Sequence, residues 1–262
     1  MRHTFEKISD PAQSPDPTVQ KIVDTWQTKH EREFCAAQKS DPGCLEEVYG
    51  HTRAELVAEE NRIRGSETSL GDWIADRMLA AFKPCGAQVA FINSGSLRIN
   101  RDLPPGPVTR RAIEEIFQYE APLHLLKIDG ATLAKVADQS VRGWPGSGTW
   151  LQVAGFGFRH DTAARAARAV SWLSGTPRPV SPTESVLAVT GDYLVNPEAG
   201  DQDGYVMLNK SQIVTDCPVR IADLKTLIAQ DLRAAEPGGI APVADGRICQ
   251  GVAGAPCRVP AR

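Results

Sequence analysis

The sequence predicts an α+β fold: a mixed β-sheet core with flanking helices, preceded by an N-terminal linker helix. Three observations predict it. Short apolar runs of strand length recur at 89–92, 123–128 and 186–190. Between them lie segments with helical apolar spacing that begin at Thr or Asp and end near Gly or Pro. The two kinds of segment interleave irregularly and no internal repeat is present, which favours a mixed sheet over a regular parallel one. The chain has 262 residues, enough for one large domain or one domain with an appended element. It is 42% hydrophobic and 23% charged with a net charge of −3, a balance that argues against a nucleic-acid-binding domain. No apolar run approaches the roughly 18–20 residues that span a bilayer. The segment Met1-Arg2-His3-Thr4-Phe5-Glu6-Lys7 lacks the apolar core of a secretory signal.

Residues 1–18 are polar and Pro-rich, and Thr18 is a candidate N-cap. Val19, Ile22, Val23 and Trp26 then follow at i, i+3, i+4 and i+7, an amphipathic helix continuing toward Phe34. This helix with its tail, residues 1–45, reads as a linker ahead of the main domain, 46–262. Residues 45–65 carry Leu56-Val57 within a charged stretch that ends Asn61-Arg62-Ile63-Arg64-Gly65. Thr68 or Ser69 caps a helix to about Phe82, with Leu70, Trp73, Ile74 and Met78 on its inner face. Pro84-Cys85-Gly86 stops it before the strand Val89-Ala90-Phe91-Ile92.

Pro104-Pro105-Gly106-Pro107 makes a turn, and Thr109 caps a helix whose stripe is Ala112, Ile113, Ile116 and Phe117. The strand over 123–128 turns at Asp129-Gly130 into a helix with Leu133, Val136 and Ala137 inward. Residues 151–161 predict one strand with a bulge near Gly155 and Gly157. Residues 162–182, rich in Ala, Arg, Ser and Pro, suggest an amphipathic helix or a variable excursion. A strand over 186–190, a helix over 221–233 and a closing strand at Gly246-Arg247-Ile248 complete the order.

Of the six cysteines, Cys35 with Cys44 and Cys249 with Cys257 bracket irregular loops at spacings compatible with local disulfides. Zinc is the rival reading, but neither pair belongs to a C-x-x-C knuckle or has a His at ligand spacing. Disulfides imply an oxidising compartment. Cys85 and Cys217 are unassigned, with burial as small hydrophobes the expectation.

Asn93-Ser94-Gly95-Ser96-Leu97-Arg98 leaves the first strand and delivers an amide, a flexible backbone and a guanidinium to a sheet edge, where α/β proteins bind ligands. Gly95 permits close backbone approach and Arg98 suits phosphate. Taken singly, each candidate has an ordinary alternative. Arg64 could pair with Glu67, Tyr119 and Tyr193 could be core aromatics, and Asp203 could be a turn-former. Together, two arginines, an amide, two aromatics and a carboxylate match the parts of a nucleotide: phosphate, base faces and ribose hydroxyls.

Four stretches in order resemble the C-terminal, substrate-binding domain of the 5'-nucleotidase / UDP-sugar hydrolase family. They are Arg64, Glu67 and Gly71 followed by Ala75-Asp76, the run at 93–98, Gly148-Thr149-Trp150-Leu151-Gln152-Val153-Ala154-Gly155, and Asp201-Gln202-Asp203-Gly204-Tyr205. Carried over by position, the resemblance implies that Arg64 and Arg98 contact phosphate, Asn93 the base or ribose, and Asp203 the ribose hydroxyls. Tyr119 and Tyr193 stand where the family stacks the base between phenylalanines, and Gln118-Tyr119-Glu120 introduces a carboxylate near the base. The acidic loop from Pro197 to Asp201 is longer than the family's.

Hydrolysis in the family resembles two-metal phosphoester cleavage by an N-terminal domain with His- and Asp-bearing motifs. None of His3, His30, His51, His124 and His160 stands in such a motif; His124 reads as a core or edge histidine. No catalytic or metal residue is therefore assigned here. The chain is expected to position a nucleotide or related phosphoester for a metallophosphatase domain in cis or trans, without a cofactor of its own. Residues 3–9 resemble the last strand of that domain and the helix from Thr18 its interdomain helix, which favours a piece of a longer periplasmic or extracellular hydrolase of nucleotide catabolism. The alternatives are a non-catalytic nucleotide-binding or protein-interaction module, and an autonomous enzyme using Asp192, Asp203 and His160.

Overall fold

The computed structural model describes residues 15–120, 122–221, 223–251 and 256–260, and divides into two compact units, Met1–Glu47 and Val48–Arg262. The expected strand over 3–9 lies outside the described residues. In the first unit, helix α1 (Pro17–Ala37) is capped not by Thr18 but by Asp16, whose carboxylate accepts from the backbone N–H groups of Thr18 (2.7 Å) and Val19 (3.1 Å). Pro17 takes the first helical position, where its missing N–H costs nothing. The apolar stripe of Val19, Ile22, Val23 and Trp26 is exposed, while Cys35 is buried and bonded to Cys44. No described helix is long and apolar enough to cross a membrane.

The second unit begins with a strand that the charged sequence hid, β1 (Val48–Thr52), and the short helix α2 (Glu60–Ile63). Helix α3 (Ser69–Phe82) follows, with the Thr68 hydroxyl accepting from the Gly71 N–H. Strand β2 (Val89–Asn93) leads to β3 (Gly106–Thr109), which pairs antiparallel with β1 where only a turn was predicted. Thr109 then caps α4 (Arg110–Ile116). Strand β4 (Leu123–Asp129) runs directly into α5 (Gly130–Arg142), capped by Asp129.

Residues 151–161 form not one bulged strand but two, β5 (Leu151–Ala154) and β6 (Phe156–Asp161), in different sheets. Gly155 makes the switch at φ +79°, and a Cβ there would lie 2.1 Å from the Gln88 carbonyl oxygen. The Ala- and Arg-rich stretch is a strand, β7 (Ala166–Trp172), antiparallel to β6, followed by the short β8 (Arg178–Pro179). Pairing with a ready edge has overridden the helical composition there. Strand β9 (Ser185–Gly191), helix α6 (Leu224–Ala234) and β10 (Ile248–Cys249) complete the unit. Helix α6 starts later than its sequence pattern because Asp223 is the cap, while Ile221 instead accepts from the Leu123 N–H at 2.8 Å.

The central sheet has the order β4-β9-β2-β5, with β2 parallel to β9 and the outer pairings antiparallel. Alternation along β2 divides its side chains between two cores. Ala90 and Ile92 pack with α3, α4 and α6, whereas Val89 and Phe91 pack with α5 and with Phe156 and Phe158 of the second sheet, β10-β6-β7-β8. Cys249–Cys257 is bonded as the spacing suggested. Cys85 and Cys217 are not free hydrophobes: they form a third disulfide across 132 residues, which stabilises by roughly 5 kcal/mol in the loop-entropy account.

Candidate functional site

Strands β2 and β9 are parallel, so their C-terminal ends lie at one edge of the central sheet, beside the starts of antiparallel β4 and β5. A cavity of about 560 Å³ opens there. Arg64, Asn93, Gly95, Arg98, Tyr119, Tyr193 and Asp203 all line it. Ser96, Glu120, Gly148 and Asp192 line it as well; Glu120 is expected from the sequence as a carboxylate near the base and Asp192 only in the autonomous-enzyme alternative, while Ser96 and Gly148 carry no role of their own there.

The floor is built on a close approach between two loops. Gly95 N–H donates to the Gly148 carbonyl at 2.9 Å, and a Cβ on Gly95 would meet Gly148 Cα at 3.2 Å. Beside it, Asn93 Nδ2 donates to Asp203 Oδ2 (2.7 Å) and Asn93 Oδ1 accepts from the Ser96 hydroxyl (2.7 Å), so both ends of the amide are fixed. Asp203 stands in a tight turn at φ +50°, its N–H donating to Asp201 Oδ1 and its carbonyl accepting from Gln139 Nε2. It is thus both the turn-former and a wall of the cavity. Burial pushes the Asp203 carboxyl above the usual carboxylate range, against the Asn93 hydrogen bond and the fields of Arg64 and Arg98.

The two arginines differ. Arg64 follows α2 and pairs with Glu60 (2.7 Å), not with Glu67; its Nε is buried without a partner. Glu67 instead accepts from the backbone N–H groups of Gly246 and Ile248, both at 2.7 Å. The Arg98 guanidinium lies 5.8 Å from the centre of the Tyr119 ring and has no hydrogen bond or ion pair among the described residues. The Tyr119 ring is 65% exposed, so it is no core aromatic. Tyr193 is half-buried, and its hydroxyl donates to Asp201 at 2.7 Å. Burial and that carboxylate push its pKa up to about 12.

Asp192 shares a 2.9 Å hydrogen bond with His124 and accepts from Asn196 at 3.0 Å. Burial alone would raise its pKa, but these donors outweigh it and hold the carboxyl below the usual range. His124 is thus an edge histidine with a carboxylate partner. His160 does not line the cavity: it is buried against the edges of Trp144 (5.0 Å) and Trp150 (5.4 Å), and burial lowers its pKa. The trio Asp192, Asp203 and His160 is therefore not assembled. Among the described residues, one group of three metal-ligating side chains lies close enough to share an ion: Glu67, Asp72 and Asp245. It surrounds Arg247, outside this cavity.

One space thus offers a guanidinium with no hydrogen bond or ion pair among the described residues, an exposed aromatic ring beside it, a second aromatic held by its hydroxyl, and carboxylate acceptors. Residues 48–210 match the model of the 5'-nucleotidase C-terminal domain. Over 111 residues, 42% of this chain, the sequence is 31% identical to the trifunctional nucleotide phosphoesterase protein YfkN of Bacillus subtilis, of which that region is 8%. The fold is similar to a 5'-nucleotidase precursor from Thermus thermophilus (TM-score 0.70, 21% identity, 87% of this chain and 43% of that one). It is also similar to the NAD nucleotidase of Haemophilus influenzae (TM-score 0.61, 13% identity, 90% and 42%). The chain spans less than half the length of these solved structures.

Proposed function

Because this chain belongs to the 5'-nucleotidase C-terminal domain family, we propose that it is the substrate-binding and specificity part of a 5'-nucleotidase-type phosphoester hydrolase. In this reading Arg98 and Arg64 hold the phosphate, and Tyr119 and Tyr193 flank the base. Asn93 reaches base or ribose, Asp203 accepts from ribose hydroxyls, and Gly95 leaves room for the ligand against the loop. The observation that carries the reading is the Arg98 guanidinium, without a hydrogen bond or ion pair among the described residues, over the exposed Tyr119 ring at 5.8 Å. Bond cleavage is assigned to a metallophosphatase domain in the same or a neighbouring chain, toward which residues 1–45 act as linker and 46–262 as the binding unit. The exposed apolar stripe of α1 supports a linker helix with a further surface to cover. Three disulfides support a periplasmic or extracellular setting.

Calorimetry with AMP, UMP and adenosine tests this reading. AMP is expected to bind, and Arg98→Ala to weaken it ten- to a hundredfold, in line with about 1.5–3 kcal/mol for a hydrogen bond to a charged group. Adenosine, without phosphate, should be indifferent to the substitution. Absence of binding by all three, or equal AMP affinity in the variant, would overturn the assignment.

A further inference from the structure

The cavity is lined by five charged side chains, Arg64, Arg98, Glu120, Asp192 and Asp203. Three are engaged within the protein: Arg64 by Glu60, Asp192 by His124 and Asn196, and Asp203 by Asn93. Two are not. Neither the Arg98 guanidinium nor the Glu120 carboxylate has a hydrogen bond or ion pair among the described residues. The exposed ring of Tyr119, next to Glu120 in sequence, lies 5.8 Å from the Arg98 guanidinium in the same wall. At the Tyr119 wall the cavity thus holds one cation and one anion with no hydrogen bond or ion pair among the described residues, beside an exposed aromatic ring. A complementary ligand carries an anion, a flat ring and, on the edge of that ring, hydrogen-bond donors.

We infer that Glu120 reads the base edge and biases the site toward a purine with two adjacent N–H donors, that is, a guanine-type base. The inference rests on the reading of this cavity as a nucleotide site. An ionised carboxylate is acceptor-only and takes two parallel N–H donors best. Guanine presents a ring N–H beside an exocyclic amine. Hypoxanthine keeps only the ring N–H, and adenine faces a carboxylate with a ring acceptor next to its amine. The Tyr119 face is indifferent to these differences, because every base has a π-face. Discrimination thus falls to the carboxylate, and because Glu120 is exposed the effect belongs at the low end for a bidentate base contact.

The test is calorimetric titration of GMP, IMP and AMP into the wild type, Glu120→Gln and Arg98→Ala. The expected order is GMP tighter than IMP and IMP tighter than AMP, with GMP over AMP on the order of tenfold. Glu120→Gln should bring GMP and AMP to within about twofold of each other, a selectivity change that a merely structural role would not produce. Equal affinities in the wild type, a preference for AMP, or a preference that survives Glu120→Gln would each overturn the inference. If at the same time Arg98→Ala weakens every nucleotide, the nucleotide reading stands and Glu120 alone loses its role. If no nucleotide binds the wild type, both fall together.

Discussion

Two clusters of charge, each with a member from the stretch Arg64 to Asp76, serve opposite ends. In the cavity at the sheet edge, Arg98 and Glu120 are left without a hydrogen bond or ion pair among the described residues. Around Arg247 every donor is consumed. Its guanidinium makes a bidentate pair with Asp76 (2.8 and 2.8 Å), donates to Asp245 (3.0 Å) and the Val153 carbonyl (2.9 Å), and lies 3.5 Å from Asp72. It is 7% exposed and Asp72 1%. Both clusters border cavities, and the second is the richer in charge. What separates them is how the central cation is held: Arg247 spends its donors within the fold, whereas the Arg98 guanidinium keeps its hydrogen-bonding capacity open.

The comparison breaks most visibly at Arg247. Arg247→Ala removes the buried guanidinium that pairs with Asp76 and Asp245 and should destabilise the fold by about 3–5 kcal/mol, read from urea or thermal denaturation; Arg98→Ala should leave those curves nearly in place. Equal stability losses would erase the distinction. A subtler lever is pH. Burial and the Glu67 carboxylate raise the Asp72 pKa from 3.8 to about 9, despite Arg247. Across that window the folded protein keeps a proton that the unfolded chain releases, so stability falls as pH rises from about 4 to about 9. Asp72→Asn removes this titration, and its urea midpoint should gain on the wild type between pH 5 and pH 8; parallel midpoints would sink the idea.

In the cavity, effects belong to binding. Tyr119→Ala should weaken AMP by about 1–3 kcal/mol in calorimetry while leaving the melting temperature unchanged, since the ring is 65% exposed. Smallest is Gly95→Ala. Its Cβ would press at 3.2 Å on both Gly148 Cα and Asn93 Nδ2, costing about 1 kcal/mol or less and loosening AMP a few-fold. An unchanged AMP affinity would show that the contact between the two loops does not position Asn93.

The sequence pattern reached the site further than it reached the fold around it. Arg64, Glu67, Gly71 and Asp76 read as one motif, yet only Arg64 enters the cavity. Glu67 pins Gly246 and Ile248, Gly71 leaves room for the Gln152 side chain, and Asp76 holds Arg247. The hairpin strand β7 carried a helical composition, and β1, Val48-Tyr49-Gly50-His51-Thr52, is a five-residue strand with Gly at its centre and charged residues on either side. Both are edge or near-edge strands, specified more by the partner they meet than by their own residues.

By itself the sequence determined what acts over a few residues: the caps at Thr68 and Thr109, the turn from β4 into α5 at Asp129-Gly130, the apolar stripes of α3, α4 and α5, the central-sheet strands β2, β4 and β9, and the disulfides that close short loops. These follow from periodicity, capping chemistry and short spacing, which the order of residues displays directly. Tertiary structure alone decided which distant groups meet: Cys85 with Cys217, Glu67 with the closing strand, Arg247 with its acids, and Arg98 beside Tyr119 with neither Arg98 nor Glu120 paired among the described residues. Pairing across many residues leaves no local period to read. Whether a charge is spent inside the fold or kept for a ligand depends on what the packed chain brings within about 3 Å of it.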